Sequence, residues 1–209
     1  MQVADIMVEL DAMPWGVRMD RDPPPKLRIA ETFEPSAVEA LICALDEAAI
    51  HGFPYLGSSH LVLGAATISP AFRRAFEAVT PLEGFARVSM SIDSTLVHPD
   101  EATFQRAIEA RSEPLALRWH RVHSAYLLTG ALPMLQYSAE VGLSTALRLA
   151  TGEGRTRIDA EDLGWCGVDG GTIIVRAFEE LGIDAPTVRA AAARYREWGA
   201  FTKLLREAE

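Results

Sequence analysis

The stretch YLGSSHLVLGAA (residues 55–66) places Ser58, Ser59 and His60 side by side against an apolar run. A serine nucleophile needs a base within hydrogen-bond reach, an orienting acid and an oxyanion hole. LGSSH lacks the second glycine of the G-x-S-x-G elbow. Neighbouring helical residues also point about 100° apart. Ser58 is better read as a helix cap, with His60 packed beneath the turn. His120 and His123, in WHRVH, are three apart and share a helix face on which a metal could sit, completed by His98, Asp100 or Cys166. No H-E-x-x-H and no cysteine pair supports that reading, so no metal or other cofactor is expected. The adjacent acids Asp46-Glu47, Glu161-Asp162 and Glu179-Glu180 do not face each other on a helix, and Asp159 and Glu161 suit a cap and first-turn acids. TGEGRTR (151–157) lacks the spacing and the lysine of a phosphate-binding loop.

The elements that would carry these residues are short helices. Val3, Ile6, Met7 and Leu10 make one helical face, and DRDPPPK (20–26) then separates this N-terminal arm (1–32) from the main body. Pro35 opens a helix with the stripe Val38, Leu41, Ile42, Leu45 and Ala48, and Gly52 closes it. Ser58 begins the next helix, and Ser69-Pro70 a third with Phe72, Phe76 and Val79 inward. Ala86, Val88, Met90 and Ile92 alternate with polar residues, which predicts a short strand or extended insertion near 85–93. Helices are expected near 100–111, 124–132, 138–151 and 160–167, over IIVRAFEEL before Gly182, and from Asp184 to Leu205. The last carries Val188, Ala192, Tyr195, Trp198, Phe201 and Leu205. The fold class is all-α.

The chain has 209 residues and a net charge of −9, which argues against a nucleic-acid or anionic-membrane binder. No apolar run reaches the roughly 20 residues of a membrane-spanning helix, and no basic signal segment opens the chain. Cys43 and Cys166 are too few for a disulfide framework, which suggests a reduced, cytoplasmic setting.

A helix–glycine–turn–cap–helix order occurs twice, from Ala37 and again from Ala139. Ala48, Gly52, Leu56 and His60 line up with Ala150, Gly154, Ile158 and Asp162, and RVHSAYLLTGAL (121–132) is a weaker echo. Phe33, Ala37, Ala48, Gly52, Leu56, Gly57, Ser58, His60, Leu61, Leu63 and Gly64, with Ala150, Gly154, Ile158, Glu161 and Leu163, form an ordered set. This set resembles the Clp repeat, the N-terminal domain of the Clp unfoldase ATPases, over roughly residues 33–195. The resemblance implies two pseudo-repeats (33–80 and 135–195) around a degenerate repeat or insertion (81–134), with a C-terminal helix extension. It also implies a groove that receives proteins, peptides or adaptors, or in some members phosphorylated arginine. Carried over by motif position, the binding residues are Phe33, Glu34, Ser58, Ser59, Glu161 and Asp162. Ser59 stands where the family has a glutamate, while Glu161 keeps it; Ala160 and Asp162 replace the threonine and histidine beside it. Without a motor, such a chain would be a non-catalytic adaptor, decoy or sequestering protein. Two other readings stay open: a small hydrolase or metal enzyme on Ser58/His60 or His120/His123, and a structural protein forming a homodimer through its last helix; the tryptophans are read first as core, with Trp198 the partner-facing one if its stripe is not fully buried.

Overall fold

The computed structural model is described over residues 2–15, 28–93, 99–169, 172–184, 186–188 and 190. The proline-rich connector, His98 and the final helix beyond Ala190 lie outside the described residues. The fold is all-α with one tiny parallel sheet. No helix among the described residues is long and apolar enough to cross a membrane.

Helix α1 (Val3–Ala12) buries Ile6, Met7 and Leu10 in the same cluster as α3. Its Asp11 carboxylate accepts the Ile29 and Ala30 N–H groups, which begin α2 (Ile29–Thr32). Helix α3 (Pro35–His51) starts on Pro35 and ends at Gly52, whose φ of 76° is the left-handed conformation that glycine adopts without a Cβ penalty. Strand β1 (Tyr55–Leu56) leads into α4 (Ser58–Ile68). Ser69 caps α5 (Pro70–Glu77) by accepting the Phe72 N–H, and Phe72 and Phe76 are buried as the sequence suggests.

Residues 82–93 are a helix, α6 (Leu82–Asp93), and not a strand or extended insertion. Leu82, Phe85, Ala86, Ser89 and Met90 are all buried, at spacings of three, four, seven and eight. The alternation that suggested a strand arises because polar Ser89 falls on the buried face. Helix α7 (Glu101–Ala110) is capped by Asp100, and α8 (Leu115–Thr129) starts directly after Pro114, nine residues before the expected 124. Strand β2 (Met134–Leu135) precedes α9 (Tyr137–Gly152), followed by α10 (Ala160–Asp169) and α11 (Thr172–Glu180).

Two parallel pairings organise the halves. Phe33, just before α3, bridges Ile158, just before α10. Leu56, just before α4, pairs with Leu135, just before α9. Leu135 follows Phe33, and Ile158 follows Leu56, by the same 102 positions (135 − 33 and 158 − 56). Each half therefore supplies the edge that the other half pairs with. The same shift relates the tight helix contacts. A Cβ on Gly64 of α4 would stand 2.2 Å from the Ala40 carbonyl of α3. In the second half, 102 positions on, Gly142 of α9 meets the Cys166 carbonyl of α10, where a Cβ would stand at 2.9 Å. The glycine that permits close approach has changed helices, and the close approach is kept.

One cluster of buried side chains runs through α1, α3 and α9; a second gathers Phe72, Phe76, Phe85, Trp165 and Phe178 beneath α4, α5, α6, α10 and α11. Trp119 and Trp165 are core residues.

Candidate functional site

The six residues carried over from the family pattern fall at the two pairings. Phe33 is fully buried, and its neighbour Glu34 is exposed. The Glu34 N–H donates to the Ile158 carbonyl at 2.8 Å, and the Ile158 N–H donates back to Thr32 at 2.9 Å. The start of α10 lies against the start of α3, where the Ala160 N–H donates to Ser36 Oγ at 3.3 Å. Glu161, half-buried, accepts the Ser69 hydroxyl at 3.1 Å. Glu34 and Glu161 therefore belong to one junction, with two helix N-termini converging on it.

Asp162 in that junction is a structural group. It has no exposed surface and accepts from Arg155 Nη1 at 2.6 Å, Arg155 Nη2 at 3.0 Å and the Asp159 N–H at 3.0 Å. Asp159 Oδ1 in turn accepts the Glu161 and Asp162 N–H groups, as a cap should.

The other junction is built on the same plan with different chemistry. Gln136, in the place of Glu34, donates its N–H to the Leu56 carbonyl at 2.9 Å. His60, in the place of Asp162, accepts the Gly57 N–H on Nδ1 at 3.1 Å. Gly57 is thus the cap position, one residue earlier than Ser58, and the imidazole accepts the cap residue's N–H, the part a glutamate plays in a capping box. Phe53 stands where Arg155 stands, its ring 5.2 Å from that of His60. An aromatic–histidine pair in one half replaces an arginine–aspartate pair in the other. Ser58 and Ser59 are buried, and their hydroxyls make no hydrogen bond among the described residues. Neither serine bonds to His60, whose Nδ1 is occupied by Gly57. The geometry does not assemble a nucleophile and its base at that stretch.

Burial holds the His60 imidazole neutral, lowering its pKa to about 3, with His51 adding to the effect. The unfolded chain protonates such a group first, so stability is held above pH 6.5 and lost as pH falls from 6.5 towards 3. A His60→Gln variant keeps an acceptor for Gly57 without a titrating ring. The gap between wild type and variant in urea-unfolding free energy is expected to move against the wild type by about 2 kcal/mol between pH 7 and pH 5. Taking the difference cancels His51, which burial also lowers, and Asp169, which burial pushes up to about 6. A gap that does not change with pH would refute the buried neutral imidazole.

The proposed metal pair fares differently. His120 is exposed on α8, and the His123 ring lies between Trp119 and Tyr126, with centroids 6.0 and 6.1 Å away. Asp100 caps α7, and Cys166 faces Gly142 in the core. Among the described residues no group of three His, Cys, Asp or Glu side chains gathers at metal-binding distance.

Sequence reasoning passed over a buried ionic layer. Asp46 and Glu47 lie inside α3, yet Asp46 pairs with Arg121 of α8 at 2.8 Å and Glu47 with Arg111 after α7 at 2.5 Å. Arg121 also reaches Glu113. Burial pushes the Asp46 carboxyl up and the Arg121 guanidinium draws it back. The layer fastens α7 and α8 onto α3. Its partners are 64 and 75 residues apart, a separation that no local pattern reports.

Compared with family models, curated proteins and solved structures, the chain matches none.

Proposed function

We propose that the chain is a non-catalytic, two-repeat binding module of the Clp-repeat type. It takes a peptide or adaptor segment bearing a cationic group at the junction of α3 and α10. The observation that carries this reading is the reciprocal pairing of Phe33 with Ile158 and Leu56 with Leu135 under one 102-residue shift (135 − 33 and 158 − 56). Repeated units that complete each other's edges create two equivalent junctions, and only one of them has carboxylates at both matched positions. Glu34 and Glu161 there offer carboxylates to an ammonium or guanidinium group, and the N-terminus of α3 suits an attached phosphoryl group. At the matching positions the other junction has Gln136 and the buried Ser59, neither of them a carboxylate. The module therefore holds one ligand per chain. Without a motor loop it serves as an adaptor, decoy or sequestering protein, and two buried free cysteines suit a reduced cytoplasm.

Titration calorimetry with free phosphoarginine and with an arginine-containing peptide tests this. One site per chain is expected, with affinity falling about 10- to 100-fold in Glu161→Gln, the loss of a charge-assisted bond. Absence of heat with both ligands, or binding unchanged in Glu161→Gln and Glu34→Gln, would sink the reading.

A further inference from the structure

Two long stretches of the chain lack Asp, Glu, Lys and Arg: residues 48–72 and residues 122–139. They meet at a cavity of about 270 Å³ bounded by the second half of α3, the second half of α8 and the segment that leads into β2. Apart from Leu45, every residue lining it belongs to one stretch or the other. Leu45, Phe53, Val122 and Leu132 are its buried part, and Pro54 and Thr129 are exposed, so it opens to solvent. Leu45 lies in the second half of α3, whereas Glu34 precedes its first turn. The cavity is therefore separate from the junction of α3 and α10.

We propose that this cavity binds a small uncharged apolar molecule, an aromatic ring or a short hydrocarbon chain. Polarity selects that class. Only two of the lining side chains carry oxygen or nitrogen, Thr129 and Tyr126. The Thr129 hydroxyl already bonds to the Ala131 carbonyl at 2.7 Å and to the Ala125 carbonyl at 3.0 Å. That leaves the Tyr126 phenol as the one side-chain group for a polar substituent. The backbone donors are taken as well. The Leu132 N–H donates to the Pro14 carbonyl at 2.9 Å and the Met134 N–H to the Pro54 carbonyl at 3.1 Å, while Pro54 and Pro133 have no N–H to offer. An ion, a polar metabolite or a peptide backbone entering here gives up water and gains no partners in return. A hydrocarbon has no such bonds to lose.

The walls are held so that they do not close on each other. Asp46, next to Leu45, pairs with Arg121, next to Val122, at 2.8 Å and fixes α8 on α3. The Leu132–Pro14 and Met134–Pro54 bonds fix the segment before β2. Apolar walls kept apart in this way lack the contacts that a filling molecule supplies. Size sets the upper limit. An apolar cavity of about 150 Å³ takes a benzene ring, so 270 Å³ admits a ring with a few further carbons.

Methyl-resolved NMR of the full chain titrated with toluene is the test. Saturable shifts are expected at the methyl groups of Leu45, Ala49, Val122, Ala125 and Met134, with a Kd on the order of 0.1–1 mM for so small a ligand. Benzylamine and benzoate are charged rings of similar size. They are expected to bind at least about tenfold more weakly, because the lining has no partner for their charge. Ala49→Leu and Ala125→Leu each put a larger side chain at the cavity, and a folded variant of either kind is expected to lose the toluene shifts. Toluene that gives no saturable shifts, or shifts centred on other methyl groups, overturns the proposal. So do charged rings that bind as well as toluene, or toluene binding that persists in a folded filling variant. The wild-type shifts locate the ligand by themselves, so the outcome does not depend on either variant folding.

Discussion

Arg155→Ala is expected to lower the unfolding free energy by about 3–5 kcal/mol, the cost of leaving a buried charge without its partner. The arginine makes two short bonds to Asp162, which has no contact with solvent. Truncation removes both of those bonds, while the bond from the Asp159 N–H remains. Arg155 also reaches Glu153 at 2.7 Å, but that pair is more exposed and contributes little. The internal repeat supplies a repair. Phe53 and His60 occupy the corresponding positions, so Arg155→Phe combined with Asp162→His installs a pair the fold already accommodates. The double variant is expected to recover most of the loss. Urea unfolding of the single and double variants decides the matter: a loss below about 1 kcal/mol in Arg155→Ala would mean that the buried carboxylate is held by something else.

Gly64→Ala is the second large effect. The added methyl would sit 2.2 Å from the Ala40 carbonyl oxygen and 2.8 Å from the Ala44 nitrogen, both backbone atoms of α3. No rotamer change relieves a clash with backbone, so α3 and α4 must separate. Overpacking of this kind costs about 3 kcal/mol or more. Gly152→Ala is the matched control. Its Cβ would meet nothing within 4 Å, and the residue closes α9 in an ordinary conformation. There the substitution is expected to stabilise by about 0.4–1 kcal/mol, because it narrows the unfolded ensemble. Similar unfolding midpoints for the two variants would contradict the close packing of α3 on α4.

These two sites show where sequence reading reaches and where it stops. Helix starts and stops written in local chemistry were legible: Pro35 and Gly52, Ser69-Pro70, Asp159 and Gly182. So was the alignment of Ala48, Gly52, Leu56 and His60 with Ala150, Gly154, Ile158 and Asp162, the register in which the edges pair. Residues 82–93 were misread because Ser89 is polar yet buried, which let a period of two mimic the true period of 3.6. At the candidate site, the backbone at Glu34 pairs with Ile158 and Phe33 lies in the core, while the Glu161 carboxylate is held by Ser69. The roles of Asp162 and His60 as buried acceptors were hidden, since they depend on Arg155 and Gly57 in the folded turn. The ionic layer of Asp46, Glu47, Arg111 and Arg121 had one local trace: two adjacent acids within an otherwise apolar helix. Nothing local pointed to the distant arginines.

The exchanged edges also bear on how the chain reaches its native state. The Leu56–Leu135 pairing closes a loop of roughly 80 residues and the Phe33–Ile158 bridge one of more than 120, so neither forms until most of the chain has been made. Helices ordinarily fold fast on local contacts, but these two pairings join distant residues and close only when one half docks against the other. During synthesis the first half must wait with its Phe33 and Leu56 edges open, and it offers them to any identical half nearby. Two nascent chains that exchange halves at this stage would satisfy the same pairings between molecules as within one, giving a swapped assembly made of native contacts.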